Sequence, residues 1–251
     1  MKKLLFVGAG AVGSYIGSFL SRAGHDVTFV DPWAEQVDAI NTRGVAVTGP
    51  HDPFTARPKA VHLHTKGAAT MPRVTPITGK SDVPAEHHAV VDGVIQTFGQ
   101  VRGPFSMLLH SPKLAQHMLG IVNFYRSDTV VDQKLRSLGI LVAVREREGA
   151  YVWAAQVAAA RRAGVREEAI DLIRAKGDPA KLPQEEREIV AYARQLVETN
   201  RVDQAAFDML QKKYGTQWMV ELTAATQYFG FLCGIVSAFE VAAPADGDKI
   251  R

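Results

Sequence analysis

The chain has 251 residues, of which 47% are hydrophobic and 22% are charged, which is the balance of a folded globular protein rather than a disordered one. Its formal net charge of +3 is too small to indicate a nucleic-acid-binding surface. The single cysteine, Cys233, excludes an internal disulfide or a two-thiol redox centre within one chain.

The same features set expectations for location and partners. No run of about 18 consecutive apolar residues is present, so we expect no membrane span and no membrane partner. The apolar opening runs into glycines and a helical pattern, which indicates a strand rather than a signal peptide. We therefore expect a cytoplasmic protein that acts on a small molecule, with no nucleic-acid partner and no metal site.

The chain opens with the order strand, glycine-rich turn, helix. Residues 3–7 are apolar, Gly8, Gly10 and Gly13 follow, and a helical pattern then stops at Gly24. In a dinucleotide-binding unit the first glycine permits the turn, the second lets backbone approach the pyrophosphate, and the third allows close helix–strand packing. The helix N-terminus then faces the phosphates with free N–H groups.

A second strand over residues 25–30 ends in Asp31, eighteen residues after Gly13. An acidic side chain at about this spacing accepts hydrogen bonds from the adenosine ribose. A carboxylate would repel a 2′-phosphate, so the pattern predicts NAD rather than NADP, bound at Gly8, Gly10, Gly13 and Asp31. The alternative is that the glycines only close a turn and that Asp31 caps the next helix.

The stretches GAGAVGSYIGSFLSRAGHDVTFVDP and VDAINTRGVAVTGP resemble the N-terminal part of the ketopantoate reductase family, over residues 1–66. Members of that family continue with strands that hold the nicotinamide and with a helical domain that carries a catalytic lysine. Neither follows here. We therefore predict a truncated Rossmann-like unit at residues 1–68 that could bind NAD through its adenosine half. A ketopantoate reductase-like oxidoreductase is the less favoured interpretation.

After this unit the sequence changes character. Residues 69–84 are punctuated by Pro72, Pro76, Gly79 and Pro84, which indicates a linker or an extended arm. Apolar residues then recur at helical spacing over residues 85–243, and residues 244–251 form a tail. The predicted fold class is therefore α/β plus all-α, a partial Rossmann βαβ unit followed by a helical bundle.

The helical region resembles the carboxymuconolactone decarboxylase and AhpD-like family over residues 73–243. The resemblance depends on GPFSMLLHSPKLAQHM, DQKLRSLGILVAVRERE, GAYVWAAQVAAARRAGV and MVELTAATQYFGFLCGIVSAFEV. In that family the central helix carries a glutamate and then either Cys-x-x-Cys-x-x-x-His or Tyr-x-Trp with a following histidine. Glu146, Tyr151 and Trp153 match the second pattern, but Gln156 stands at the histidine position.

The thiol positions of the first pattern are Gly149 and Val152. Peroxide reduction needs a thiolate and a resolving thiol, so AhpD-type peroxidase chemistry is not expected. The resemblance instead implies an enzyme of the carboxy-lyase kind, acting on a small carboxylated or lactone substrate without a cofactor in the helical domain. The alternative is a non-catalytic protein that binds a nucleotide or another ligand through a degenerate AhpD-like site. The resemblance also implies a homo-oligomer, a trimer or hexamer.

Within this site Glu146 is the principal catalytic candidate, because a carboxylate in an apolar helix is either paired or held for proton transfer. Its alternative role is a structural pair with Arg145. His110 is a second catalytic candidate, although it could equally serve only at the start of the following helix. Tyr151, Trp153 and Gln156 are predicted to line the substrate pocket.

Overall fold

The protein is described by a computed structural model that covers residues 2–49, 52–62 and 72–251. The chain divides into two compact units, Met1–Ala69 and Thr70–Arg251. Residues 63–71, which include the first part of the predicted linker, lie outside the described residues. Each unit is described by itself.

The first unit alternates strands and helices. Its elements are β1 (Lys3–Val7), α1 (Ala11–Arg22), β2 (Asp26–Asp31), α2 (Ala34–Arg43), β3 (Val45–Val47), β4 (Phe54–Ala56) and β5 (Lys59–His62). The strands β1, β2 and β5 form a parallel sheet in the order β1-β2-β5, and β3 pairs antiparallel with β4. The predicted partial Rossmann fold is thus confirmed.

Side-chain alternation along β1 gives the sheet two unlike faces. Phe6 points toward the small core that also contains Phe29, whereas Leu5 and Val7 are 66% and 74% exposed. A complete doubly wound sheet carries helices on both faces. Leu5 and Val7 are exposed because, among the described residues of this unit, no helix covers their face of the sheet.

The second unit is helical. Its helices are α3 (His88–Phe98), α4 (Pro104–Leu108), α5 (Pro112–Ser127), α6 (Gln133–Glu146), α7 (Ala150–Arg162), α8 (Glu167–Arg174), α9 (Gln184–Thr199), α10 (Gln204–Tyr214) and α11 (Thr216–Ala238). The middle of α6, residues 138–144, is apolar and buried on all sides, and the helix packs against α7, α8, α9 and α11, so it is the central helix. Its start is capped by Asp132, whose carboxylate accepts the backbone N–H groups of Lys134 and Leu135.

One buried charge ties the outer helices to this core. Glu186 on α9 is 3% exposed, and its carboxylate lies 2.8 Å from Nη2 of Arg166 and 2.9 Å from Nζ of Lys134. A buried carboxylate is tolerated only when such partners satisfy it. These hydrogen bonds, that of Arg166 first, lower the pKa of Glu186.

The last helix, α11, is long and apolar enough to cross a membrane by length and composition alone. Half of its most apolar window is buried inside the protein. It also contains Glu221, whose carboxylate accepts the Thr129 hydroxyl at 2.6 Å and the Val130 N–H at 2.8 Å. The helix is therefore packed into the core of the helical unit.

The arm before α3 is fastened to the helical unit. Ile77 is 4% exposed, and its backbone N–H donates to the carbonyl of Ser106 at 3.0 Å. Arg73 donates to the Ala238 carbonyl at 3.1 Å and pairs with Glu240 at 2.6 Å. The described residues 72–84 thus belong structurally to the helices that follow them.

The C-terminal tail is also fixed in place, along α7. Gly247 lies so close to α7 that a Cβ on it would stand 2.6 Å from Cβ of Ala154. Asp248 accepts two hydrogen bonds from Arg161, at 2.6 and 3.0 Å, and Ile250 is 3% exposed. The tail therefore covers part of the helix that the sequence marks as functional.

Candidate functional site

The three glycines of the first turn have different structural roles. Gly8 has a φ of +98°, a conformation that L side chains rarely adopt. A Cβ on Gly13 would lie 2.2 Å from the carbonyl oxygen of Gly8. A Cβ on Gly10 would meet no atom within 4 Å. The fold therefore requires Gly8 and Gly13, while the space beside Gly10 is open to a ligand.

The close approach of α1 to the sheet involves two glycines. Gly13 lies within α1, and its contact with the Gly8 carbonyl holds the start of the helix against the end of β1, as expected for this position. A second close helix–strand contact, which the sequence analysis did not assign, is made by Gly17, whose Cβ would lie 2.3 Å from the ring of Phe29. Gly17 follows Gly13 by one helical turn, so both lie on the same face of α1. Which of them contacts Phe29 depends on how α1 packs against β2, which the sequence does not show.

Asp31 fastens the turn. Its Oδ2 accepts the Ala9 N–H at 2.6 Å and its Oδ1 accepts the Trp33 N–H at 2.9 Å, and the residue is 8% exposed. The carbonyl of Ala9 in turn accepts the Ser14 hydroxyl at 2.6 Å. Asp31 therefore shapes the loop, a role that the sequence analysis did not assign to it. Binding of NAD at this turn stays a prediction.

Glu146 is the last residue of α6, and its side chain is 9% exposed. Its Oε2 accepts a hydrogen bond from the ammonium group of Lys176, which follows α8. The alternative pairing with Arg145 is wrong, because the Nε of Arg145 donates to the Arg174 carbonyl at 2.6 Å. The structure thus gives Glu146 a cationic partner that the sequence did not indicate.

The three predicted pocket residues lie on α7, in different surroundings. Trp153 is fully buried, its indole N–H has no hydrogen-bond partner among the described residues, and the Arg174 guanidinium lies 5.7 Å from its ring centroid. Tyr151 is half-buried, and burial raises its pKa. Gln156 is half-buried as well. Trp153 is thus a core residue of the helical unit.

The positions of the missing thiol pair lie at the start of α7. Gly149 is the residue before the helix and Val152 is buried within its first turn. A Cβ on Gly149 would lie 2.2 Å from Sγ of Cys233, on α11. The sulfur atom of Cys233 therefore occupies the space that a side chain at position 149 would need. Sequence reasoning missed this contact because it joins two distant helices.

Cys233 is 1% exposed, and this burial raises the pKa of its thiol to about 12, against an opposing effect of Arg147. At neutral pH the sulfur is therefore a protonated thiol rather than a nucleophilic thiolate. Cys233 lies at the wall of a cavity of about 330 Å³, together with the polar side chains of Arg147, Gln227 and Ser237. None of the predicted site residues lines this cavity.

His110 is exposed, and its Nε2 donates to the carbonyl of Thr75 at 3.0 Å. The ring fastens the arm of residues 72–84 to the end of α4. His110 and Glu146 thus have separate partners, one a backbone carbonyl and the other an ammonium group.

Solved structures with the same helical arrangement identify this fold. The debrominase Bmp8 in complex with 2,3,4-tribromopyrrole aligns with a TM-score of 0.54 and 20% identity, over 70% of this chain and 95% of that one. The AhpD core of a peroxidase-related protein from Ralstonia eutropha JMP134 aligns with a TM-score of 0.55 and 16% identity, over 69% and 95%. The helical unit has the AhpD fold. A peroxidase-related protein from Silicibacter sp. TM1040 also shares the AhpD fold, with a TM-score of 0.53 and 14% identity over 72% and 94%.

The first unit has a separate likeness. A family model described as ketopantoate reductase PanE/ApbA matches residues 4–109. The resemblance expected for residues 1–66 is thus confirmed, and the match extends into the beginning of the unit with the AhpD fold. The chain therefore joins a ketopantoate reductase-like segment to a unit with the AhpD fold.

Proposed function

We propose that the helical unit is a thiol-independent enzyme that acts on a small carboxylated or lactone substrate, in the manner of carboxymuconolactone decarboxylases. The observation that carries the proposal is the contact between Gly149 and Cys233. This contact leaves no room for a side chain at the first thiol position, and the single cysteine thiol is buried and protonated at neutral pH. Chemistry on this fold must therefore use other groups.

Glu146 and Lys176 are the groups that support a proton-transfer role. A carboxylate that is 9% exposed and paired with an ammonium can exchange a proton with a substrate carbon while the cation stabilises developing negative charge. Lys176 ends α8 in the left-handed conformation, with a φ of +53°, and its N–H donates to the Ile173 carbonyl at 3.0 Å. This helix end fixes the backbone from which the ammonium group reaches Glu146.

Decarboxylation of a carboxylated unsaturated γ-lactone tests this proposal. The change in ultraviolet absorbance reports the reaction, and release of CO₂ confirms it. Glu146→Gln should lower kcat by about 100-fold or more, because a positioned acid or base contributes on that scale. Glu148→Gln is the matched control, since Glu148 lies two positions away and its side chain is 44% exposed.

Lys176→Met should lower kcat less than Glu146→Gln, because it removes the partner and keeps the carboxyl group. Equal turnover by the wild type and Glu146→Gln would contradict the assigned role. Consumption of a hydroperoxide that is lost in Cys233→Ser would contradict thiol independence.

A second candidate function is non-catalytic binding of a nucleotide by the first unit, and the open space at Gly10 favours it. A Cβ there would meet no described protein atom within 4 Å, so we expect a valine to be accommodated in the free chain but to block the approach of a pyrophosphate. Fluorescence titration with NADH should show binding by the wild type and none by Gly10→Val. Gly120→Val is the control, because Gly120 lies in open space on α5. Absence of NADH binding by the wild type would refute this candidate.

A cytoplasmic location and a homo-oligomer, a trimer or hexamer, are part of the same proposal. The single cysteine, which is a free thiol, supports the cytoplasmic location. Light scattering after size-exclusion chromatography measures the mass of the assembly, and a monomer at working concentration would contradict the proposed oligomer.

A further inference from the structure

We propose that the cavity beside Arg147 binds a small organic monoanion with a flat apolar body, such as an aromatic carboxylate. The cavity lies between the C-terminal end of α6 and the face of α11 that carries Gln227 and Ser237. It is separate from the Glu146–Lys176 pair, because neither residue lines it. The choice of a carboxylate rests on the proposed function, while the test below measures binding rather than turnover.

Charge decides the kind of ligand. Arg147 forms no ion pair with any residue in the described part of the chain, and no acidic side chain lines the cavity. Its side chain lies along α11, so that a Cβ on Gly230 would stand 3.9 Å from its Nε. An arginine without an acidic partner presents several N–H donors, which match the two oxygens of a carboxylate. The amide of Gln227 and the hydroxyl of Ser237 add further hydrogen-bonding groups.

Size and shape restrict the rest of the ligand. A volume of about 330 Å³ is near the lower end of small-molecule sites, and fits a compound with a single ring. Phe231 lines the cavity and is 40% exposed, so its ring offers an apolar surface for stacking. Gly234 leaves the middle of this surface bare, since a Cβ there would meet no atom within 4 Å.

The thiol of Cys233 completes the wall without competing for the anion. It is a protonated, weakly polar group at neutral pH, so it does not repel a carboxylate. The cavity thus has one cationic side and one apolar side, which is the arrangement that an aromatic carboxylate requires.

Fluorine NMR with 4-fluorobenzoate and its neutral analogue 4-fluorobenzamide tests the proposal. The wild type should bind the carboxylate at least about tenfold more tightly than the amide. Arg147→Gln should weaken carboxylate binding by about the same factor and leave amide binding unchanged. Arg162→Gln is the matched control, an exposed arginine at the end of α7, and should bind both probes like the wild type.

A second pair of variants tests the location. Gly234→Leu should place its side chain in the cavity, since a Cβ there would meet no atom within 4 Å, and should abolish binding of both probes. The melting temperature should be maintained, because leucine is a better helix former than glycine. Gly120→Leu places the same change in open space on α5 and should bind normally. Equal affinity of the wild type for both probes, unchanged binding by Arg147→Gln or by Gly234→Leu, or no carboxylate binding at about 10 mM would overturn the proposal.

Discussion

The contact between α7 and α11 makes a quantitative prediction about stability. In Gly149→Ala the new Cβ would start 2.2 Å from Sγ and 2.8 Å from Cβ of Cys233. Ordinary contact between such atoms is about 3.5–4.0 Å, so the helices or the thiol must move by more than 1 Å. Overpacking of this kind costs about 1–3 kcal/mol. Alanine is also a poorer residue than glycine before a helix, which adds to the loss.

A double-mutant cycle separates these contributions. Cys233→Ala removes the sulfur and should cost about 1 kcal/mol through the cavity it leaves. In the double variant the 2.2 Å conflict is gone and only the 2.8 Å approach of the two Cβ atoms remains. The double variant should therefore be about 1–2 kcal/mol more stable than the sum of the two single losses predicts. The penalty of alanine before the helix cancels in this difference.

Denaturant unfolding followed by far-ultraviolet circular dichroism measures the four free energies of unfolding, because the helical unit dominates this signal. Gly234→Ala is the control for replacing a glycine where space is open, and should be neutral or stabilising. Additivity of the two single effects to within about 0.5 kcal/mol would show that the thiol does not occupy the space at position 149.

Three further predictions concern charge, reactivity and the tail. Because the pKa of Glu186 is lowered in the folded state, Glu186→Gln should lose about 1–2 kcal/mol of unfolding free energy at neutral pH. The loss should shrink as the pH falls below about 4.3, which unfolding at several pH values measures. Maleimide labelling of Cys233, followed by intact mass, should be slow at pH 8 and become fast in denaturant, because the thiol pKa is about 12 only while it is buried; fast labelling of the folded protein would contradict this. Gly247→Ala should release the tail from α7 and speed its removal by carboxypeptidase, since a Cβ there would lie 2.6 Å from Cβ of Ala154; unchanged trimming would refute it.

Much of the architecture could be predicted because it depends on local periodicity. The glycine spacing and the two apolar runs indicate strand, turn, helix and strand, and the helical spacing after residue 84 indicates a bundle. Both predictions are confirmed. Residue type also identified Asp31 as a candidate binding residue, because a carboxylate at the end of a buried strand needs hydrogen-bond donors to satisfy it. Its hydrogen bond to Ala9 depends on the loop conformation, which sequence alone does not give.

The site could be predicted only in part, because its decisive contacts join residues far apart in sequence. Nothing local in the sequence connects Glu146 with Lys176, which lies in the turn after α8, or Gly149 with Cys233 on the last helix. The neighbouring Arg145 seemed the natural partner of Glu146, but adjacent residues on a helix point about 100° apart and rarely meet. Glu146 therefore takes its partner from another segment, while Arg145 donates to the Arg174 carbonyl and pairs with Glu148 at 3.7 Å.

The order of the strands restricts how a nucleotide could bind to the first unit. In a complete doubly wound fold the dinucleotide crosses the sheet beyond its carboxyl ends, with adenosine on one side of the glycine turn and nicotinamide on the other. In the part of the chain that the structure describes, β1 is an edge strand of its sheet, and Asp31 lies on β2, on the adenosine side. Any affinity should therefore come from the adenosine and pyrophosphate, and ADP should bind about as tightly as NADH. Competition of ADP against NADH, followed by NADH fluorescence, measures the two affinities. If NADH binds at least about tenfold more tightly than ADP, the nicotinamide also contacts the protein and this reasoning is refuted.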